Sequence, residues 1–413
     1  MDAEIITIGD ELTSGHRINS NATEIARRLN DLGLRVKFVT SVGDNTEEMA
    51  EAFHLALRRV KVVIATGGLG PTDDDLTKKV IVKVFKRNLV FHDDILERIK
   101  ERSRQRGIDF PAINQNQALL LQGATFFPNR HGSAVGICLS EHGKIFISLP
   151  GVPREMMQIM DDEVIPYLAK LNLGQAIKVV TLRTTGIVES RMAELITPDM
   201  PADQVVSLAY LPSYRGLSMR ITARGTDRDE VDAAAHKLVQ FLEKKAGRYI
   251  FGRNDDSLEE VVGQLLIDND KTVSVAESCT GGQLGMILTS VAGSSQYFVG
   301  GLQAYSNDVK VSQLKVSSQT LEDSGAVSEP CAQQMAVGAR ELFKTDYAVS
   351  ITGIAGPEGG SDEKPVGTTY IGLASAHTTN ARLFNLGTDR NVVRTRACYA
   401  ALEMLRREIL DIN

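Results

Sequence analysis

The sequence predicts an α/β protein in three parts. A doubly wound, mostly parallel sheet comes first, a small α+β unit second, and another α/β domain last. Three observations predict it. Short apolar runs alternate with amphipathic stretches over residues 1–171; the order changes to strand, helix, two strands and helix over 175–253; alternation then resumes over 257–413, with the densest glycine and polar signals. Strands separated by helices need crossover connections, which impose parallel pairing and put helices on both faces. At 413 residues the chain also exceeds what one hydrophobic core ordinarily serves.

In the first segment, residues 5–8 read as a strand and 21–32 as a helix opened by Asn21, with Glu24 in capping-box spacing. Residues 36–41 give a second strand, 46–60 a helix, and 62–66 a buried strand. The pattern runs to about Leu171, past LPGVPREMMQIM (149–160), where a proline-punctuated loop starts a helix. The middle segment reads as strand 178–184, helix 189–196, strands 205–210 and 217–223, and helix 229–245. GRNDDSLEE (252–260) then reads as a linker, whose Ser257 and Glu260 form a capping box for the next helix.

Composition narrows the function class. The 43% hydrophobic and 24% charged residues are those of a globular protein. Twelve prolines, no tryptophan and no low-complexity tract argue against long disordered linkers. A net charge of −6 without a Lys/Arg block disfavours nucleic-acid binding, which needs a basic surface to displace counterions. Cys138, Cys279, Cys331 and Cys398 show no C-x-x-C spacing, so a disulfide framework or zinc knuckle is disfavoured and a reducing compartment expected. The opening residues resemble neither a signal peptide nor a lipidation site, and no apolar run approaches the ~18 residues of a membrane span. The expected location is the cytoplasm, without membrane contact.

The strongest chemical signal lies in the third segment. A strand over 272–276 runs into Glu277, Ser278, Cys279, Thr280, Gly281 and Gly282, then into a helix from about Gln283. Free N–H groups and the positive end of the helix dipole suit a phosphate or a developing oxyanion there. Standing alone, such Ser and Thr residues are ordinarily caps. Here they have company: GGLQAYSNDVK (300–310) supplies Tyr305, Ser306, Asn307 and Lys310, and ITGIAGPEGGSDEKPVGTT (351–369) is a long glycine-rich loop after another buried strand. Arg390 adds a cation before the last helix. Loops after successive strands of a wound sheet gather at one edge, where such folds bind ligands. His377 is the segment's single histidine, so a Ser-His-Asp triad is poorly supplied. A desolvated Lys310 is the better base for a serine, although a lone lysine is ordinarily a solvated surface residue. Cys279 is the alternative nucleophile, and equally a small packing residue.

In the first segment TGGLGPTDDDLT (66–77) follows a buried strand. It lacks the third glycine of a dinucleotide fingerprint, and the chain has no P-loop G-K-[ST]. Amides of Gly67, Gly68 and Gly70 beside Asp74 and Asp75, with Asp44 after the neighbouring strand, make a coherent site for phosphate and a divalent cation such as Mg²⁺. The alternative is that Asp73–Asp75 merely favour a helix N-terminus, and that Asp44 with Glu47 caps another.

The runs AESCTGG, AGSSQYF, YSNDVK, GAVSEP and TGIAGPEGGSDEKPVGT resemble the C-terminal domain of the competence/damage-inducible protein A (CinA) family, over nearly all of 257–413. That domain resembles nicotinamide-nucleotide amidase, which converts nicotinamide mononucleotide to nicotinate mononucleotide and ammonia with no cofactor expected. The resemblance implies Ser278 as nucleophile and Lys310 as its activator. Tyr305, Thr352 and Arg390 match positions that shape the nucleotide site, and Tyr305 is assigned here to the catalytic set. Glu277, Thr280, Gly281, Gly282 and Gly353 are the further expected substrate contacts. GDELTSG (9–15), GGLGPTDDDLT, NQNQALLLQGA (114–124) and LPGVPREM match the N-terminal domain of the same family, which resembles the molybdopterin-binding fold. That match implies a divalent-metal ADP-ribose pyrophosphatase. NRHGSAVG (129–136) departs from the family at Val135, where proline is typical. The middle segment resembles a KH-type fold without the G-x-x-G clamp that binds RNA, so a spacer or dimerisation role is expected. The combined expectation is a homodimeric enzyme of pyridine-nucleotide salvage. The rival reading is a protein that only binds pterin or adenine nucleotides, and a role in DNA uptake is disfavoured by the acidic balance.

Overall fold

A computed structural model describes every residue except 73, 74, 106, 108, 172–175, 202–204 and 413. Asp74, one of the expected metal ligands, therefore lies outside the described residues. The chain divides into two compact units, Met1–Lys178 with Arg224–Val231, and Val179–Ala223 with Asp232–Asn413.

In the first unit the strands are β1 (Asp2–Ile8), β2 (Arg35–Val42), β3 (Val62–Thr66), β4 (Leu89–Phe91), β5 (Leu119–Leu121), β6 (Thr125–Phe127), β7 (Gly136–Glu141) and β8 (Lys144–Leu149). Six form one sheet in the order β2-β1-β3-β8-β7-β6, and β4 pairs with β5 apart from it. The pairs β2–β1, β1–β3 and β3–β8 are parallel; β8–β7 and β7–β6 are antiparallel. The expected doubly wound α/β sheet is present, with an antiparallel edge. Successive side chains of a strand point to opposite faces. Val62 and Ile64 accordingly enter one core with Ile5 and Ile147, whereas Val63 and Ala65 enter another with Ile6 and Phe146. A strand covered on both faces reads as a continuous apolar run, which is how β3 was legible.

Two caps differ from expectation. The helix Ser20–Asp31 is capped by Asn19, whose Oδ1 accepts from the Ala22 N–H at 3.1 Å. Asn21 instead donates to Thr66 Oγ1 and Gly151 O. Likewise Asn45, not Asp44, caps the helix Thr46–Arg59, accepting from the N–H groups of Glu47 and Glu48. In both places residues one or two apart are competent caps, and long-range partners decide between them.

The second unit holds two sheets. Its strands β9 (Ala176–Thr184, whose first residues belong to the first unit), β10 (Val206–Ser213), β11 (Gly216–Gly225) and β12 (Ile250–Arg253) order as β10-β11-β9-β12. β12 ends inside the stretch expected to be a linker and pairs antiparallel with β9. Four residues, three of them half-buried and one a glycine, carry no strand signal of their own; the partner makes the strand. The helix Leu258–Asp268 follows, with the reciprocal capping box of Ser257 and Glu260 in place.

The last sheet contains β13 (Val273–Glu277), β14 (Phe298–Gln303), β15 (Tyr347–Gly353), β16 (Thr368–Ala374) and β17 (Thr379–Asn385), ordered β14-β13-β15-β16-β17. β14, β13 and β15 run parallel, and β16 and β17 turn back antiparallel. The carboxyl ends of the three parallel strands therefore share one edge. The closing helix Arg390–Ile409 buries Glu403 and Arg406, paired at 2.8 Å, and Arg406 also donates to Arg248 O. Among the described residues no helix is long and apolar enough to cross a membrane.

Candidate functional site

β13 delivers Glu277 and Ser278 to that shared edge. Glu277 is 2% exposed, and its carboxylate accepts from the N–H groups of Gly282 (3.1 Å), Leu284 (3.0 Å) and Gly285 (2.8 Å). This corrects the expectation that the first turn of the helix Gln283–Thr289 offers its amides to substrate. An internal carboxylate already satisfies them and offsets the positive helix end. Glu277 is thus built into the turn rather than placed as a substrate contact. Gly281 (φ 59°) and Gly282 (φ 94°) adopt left-handed backbone, and a Cβ on Gly282 would lie 2.6 Å from Gln303 Nε2. Both demands select glycine.

Ser278 is fixed by its N–H to Ile351 O (2.9 Å) and by the Gly281 N–H to its own carbonyl (3.1 Å). Among the described residues the N–H groups of Cys279 and Thr280 find no carbonyl acceptor, which leaves two donors directly after the candidate nucleophile. Lys310 lies in the helix Asn307–Leu314, which Ser306 caps. Its side chain is 1% exposed, with Nζ 3.2 Å from Ser278 Oγ, 2.8 Å from Ala304 O and 3.1 Å from Tyr305 O. Burial lowers the Lys310 pKa from its ordinary value, and the nearby Cys331 and Cys279 oppose that shift more weakly. A neutral amine has two N–H donors and one lone pair. Two carbonyls take the donors, and the lone pair is left for the Ser278 hydroxyl proton.

Cys279 packs in the core at 8% exposure, and burial pushes its thiol up to about 11. At neutral pH it is a thiol rather than a thiolate, the weaker candidate nucleophile. Tyr305 contributes its backbone carbonyl to Lys310, while the residue is 67% exposed. Its ring is therefore a surface group beside the pair. Thr352, at 1% exposure, donates to Ala326 O at 2.7 Å, and Gly353 pairs with Thr369 on β16. Arg390 donates to Gly356 O at 2.7 Å and so holds the glycine-rich loop. Thr280 is fully buried, with no partner for its Oγ1, and its carbonyl accepts from Arg394 Nη2 at 2.7 Å. Arg394 was missed in the sequence. Its signal was the four-residue spacing from Arg390, which puts both on one helix face.

The N-terminal turn is arranged differently. The Gly67 N–H bonds to Leu149 O (3.1 Å) and the Gly70 N–H to Asp75 Oδ1 (2.7 Å). Asp75 Oδ2 accepts from the Thr72 N–H and hydroxyl at 2.9 and 2.6 Å. Two of the three amides expected to hold phosphate are thus engaged within the fold, and Asp75 closes its own loop. Asp44 meets a residue that the sequence reading did not single out. The Asp10 N–H donates to Asp44 Oδ2 (3.1 Å), and the Asp44 N–H donates to Asp10 Oδ1 (2.9 Å). Among the described residues no group of three or more His, Cys, Asp or Glu side chains could hold a metal. Asp10 with Asp44 brings two carboxylates to one place, and Mg²⁺ is ordinarily held by one or two carboxylates with substrate phosphates and water completing its shell.

Comparison with known proteins gives concordant matches along the chain. Residues 255–409 match the CinA C-terminal domain, 4–170 the probable molybdopterin binding domain, and 180–252 the damage-inducible protein CinA KH domain. A CinA-like protein of Dictyoglomus turgidum is 42% identical over 412 residues, 100% of both chains. Another from Gemmatimonas aurantiaca is 41% identical over 411 residues, 98% of this chain and 96% of that one. The crystal structure of competence/damage inducible protein CihA from Agrobacterium tumefaciens shares 39% identity, over 36% of this chain and 93% of its own, with a TM-score of 0.35.

Proposed function

The chain belongs to the CinA family, and from that premise we propose that its C-terminal segment hydrolyses nicotinamide mononucleotide to nicotinate mononucleotide and ammonia. The observation that carries the reading is the 3.2 Å contact between Ser278 Oγ and a buried Lys310 Nζ. Neutral Lys310 takes the hydroxyl proton as Ser278 Oγ bonds to the carboxamide carbon. The carbonyl oxygen gains negative charge opposite the free N–H groups of Cys279 and Thr280. The C–N bond then breaks as the Lys310 ammonium returns its proton to the leaving nitrogen, releasing ammonia and leaving a serine ester. Lys310 then deprotonates a water that attacks the ester, and its ammonium returns that proton to Ser278 Oγ as the C–O bond breaks; the carboxylic acid product ionises to solvent. The proton transfers of both half-reactions run through one amine. The test is ammonia release from nicotinamide mononucleotide by the full chain, unaffected by EDTA and absent from Ser278→Ala. Nucleotide binding without ammonia release would favour the rival reading, a binding protein.

For the N-terminal segment the Asp10–Asp44 pair favours a second activity, cleavage of ADP-ribose to AMP and ribose 5-phosphate. Asp44 and Asp10 would hold a divalent cation, which supplies neutralisation of the pyrophosphate charge when bound. Asp75, with both oxygens engaged, orders the glycine loop instead. Loss of the cleavage in Asp44→Asn and in EDTA, with the amidase intact, is the expected result; metal-independent cleavage overturns it.

A further inference from the structure

The turn that presents Ser278 is gripped from a second element, the closing helix Arg390–Ile409. Half-buried Arg394 donates from Nη2 to the Thr280 carbonyl at 2.7 Å, across 114 positions of sequence. On the next residue, Thr395 Oγ1 accepts from Gln283 Nε2 at 3.2 Å, so the same helix also holds the start of the helix Gln283–Thr289. Among the described residues no carboxylate pairs with Arg394; the acceptor its charge meets is the turn carbonyl.

This contact fixes a peptide plane. The Thr280–Gly281 unit is held at both ends, its oxygen by Arg394 and its N–H by Ser278 O at 3.1 Å. A peptide unit is rigid, so two such bonds set the torsions on either side of it. One side is Gly281 in left-handed backbone (φ 59°), and the other is Thr280, whose N–H is one of the two free donors beside Ser278. Thr280 is fully buried, and among the described residues the other donor to its carbonyl is the Gln283 N–H at 3.3 Å. A long neutral bond is a poor substitute for a short charged one. The positive charge also reaches the other donor residue. Burial is the main cause of the raised Cys279 thiol, and Arg394 is among the charges that oppose the rise.

We propose that Arg394 is a positioning residue of the amidase: through the Thr280 carbonyl it aims the Cys279 and Thr280 N–H groups at the developing oxyanion, and its charge favours that anion. The role rests on the amidase reading above and adds to it a residue that touches neither substrate nor nucleophile. Because the contact serves the oxyanion and not the bound ground state, its loss falls on kcat and spares KM.

The test is ammonia release from nicotinamide mononucleotide by the full chain, with calorimetric titration of the product, nicotinate mononucleotide. Arg394→Met removes donor and charge and should lower kcat about 10²-fold, the lower end of the loss when an oxyanion donor is deleted outright. KM, product affinity and the pH profile of the rate should stay near wild type, since Lys310 is untouched. Arg394→Gln keeps a neutral donor, guards against a folding defect and should fall between Met and wild type. Arg394→Lys keeps the charge and should recover about tenfold over Met. Gln283→Ala removes the neighbouring tie without touching charge and should leave kcat within a few-fold. Wild-type kcat in either neutral variant would overturn the proposal, as would unfolding of both, which would make Arg394 a structural tie. A loss carried by KM and by weaker product binding would also overturn it, placing Arg394 on the substrate phosphate. A wild-type chain that releases no ammonia is a separate result, the failure of the amidase reading itself.

Discussion

The turn after β13 and the turn after β3 are built from the same materials, a buried parallel strand, glycines in left-handed backbone, and an acidic residue close by. In each, the carboxylate closes the turn on itself. Glu277 reaches forward to Gly282, Leu284 and Gly285, whereas Asp75 reaches back to Gly70 and Thr72. The difference lies in what is left over. Glu277 comes from the strand, so the turn it clamps presents Ser278 outward to Lys310. Asp75 comes from the loop and engages both of its oxygens there, whereas Asp10 and Asp44 pair across to each other's backbone N–H groups. A glycine turn with nearby acids is therefore not in itself a phosphate cradle, because the carboxylate can substitute for the anion.

The largest expected effect belongs to the pair that the C-terminal turn presents. Ser278→Ala should lower amidase turnover by at least ~10³-fold, since a covalent route loses its attacking atom. Lys310→Arg keeps a positive charge but offers no lone pair, and should be nearly as inactive. An active arginine variant would reduce Lys310 to a positioning role.

The pH profile sharpens the same point. Burial disfavours the Lys310 ammonium, so its folded pKa lies below the ordinary lysine value. Amidase rate should rise with pH through that lowered pKa, as the neutral base accumulates. Stability moves in the same direction. Between the folded and unfolded pKa values the unfolded chain binds more protons, so the cost of the buried ammonium is relieved as pH rises. A rate that falls with pH across this window, in the absence of unfolding, would count against the neutral-lysine mechanism.

A middle-sized effect is expected at the clamp. Glu277→Gln replaces one acceptor oxygen by a donor facing three N–H groups, removing charged hydrogen bonds worth about 1.5–3 kcal/mol each. Both melting temperature and kcat should fall, with KM less affected, because Ser278 is displaced rather than the substrate released. Asp75→Asn is the matched change in the other turn. It should lower the melting of the N-terminal unit and leave ammonia release untouched; a loss of amidase there would break the comparison. The smallest effect is expected for Cys279→Ala, within about tenfold of wild type, as suits a packed thiol. Resistance of the wild-type amidase to thiol alkylation at neutral pH would agree with its raised pKa.

Local sequence determined a good deal. The apolar run of β3 and the alternation of strands and helices specified an α/β chain. Ser257 and Glu260 specified a helix start, because capping acts within four residues. Ser278 and Lys310 were legible as candidates by residue type and by position after strands. Only the tertiary structure put Lys310 Nζ beside Ser278 Oγ, since 32 residues of chain separate them and burial depends on what packs around the helix. It also chose Asn19 over Asn21, turned Glu277 from a substrate contact into a clamp, and paired Asp44 with Asp10. Each outcome depends on which donors lie within about 3 Å in space, and hydrogen bonds fall off too steeply for sequence spacing to settle that.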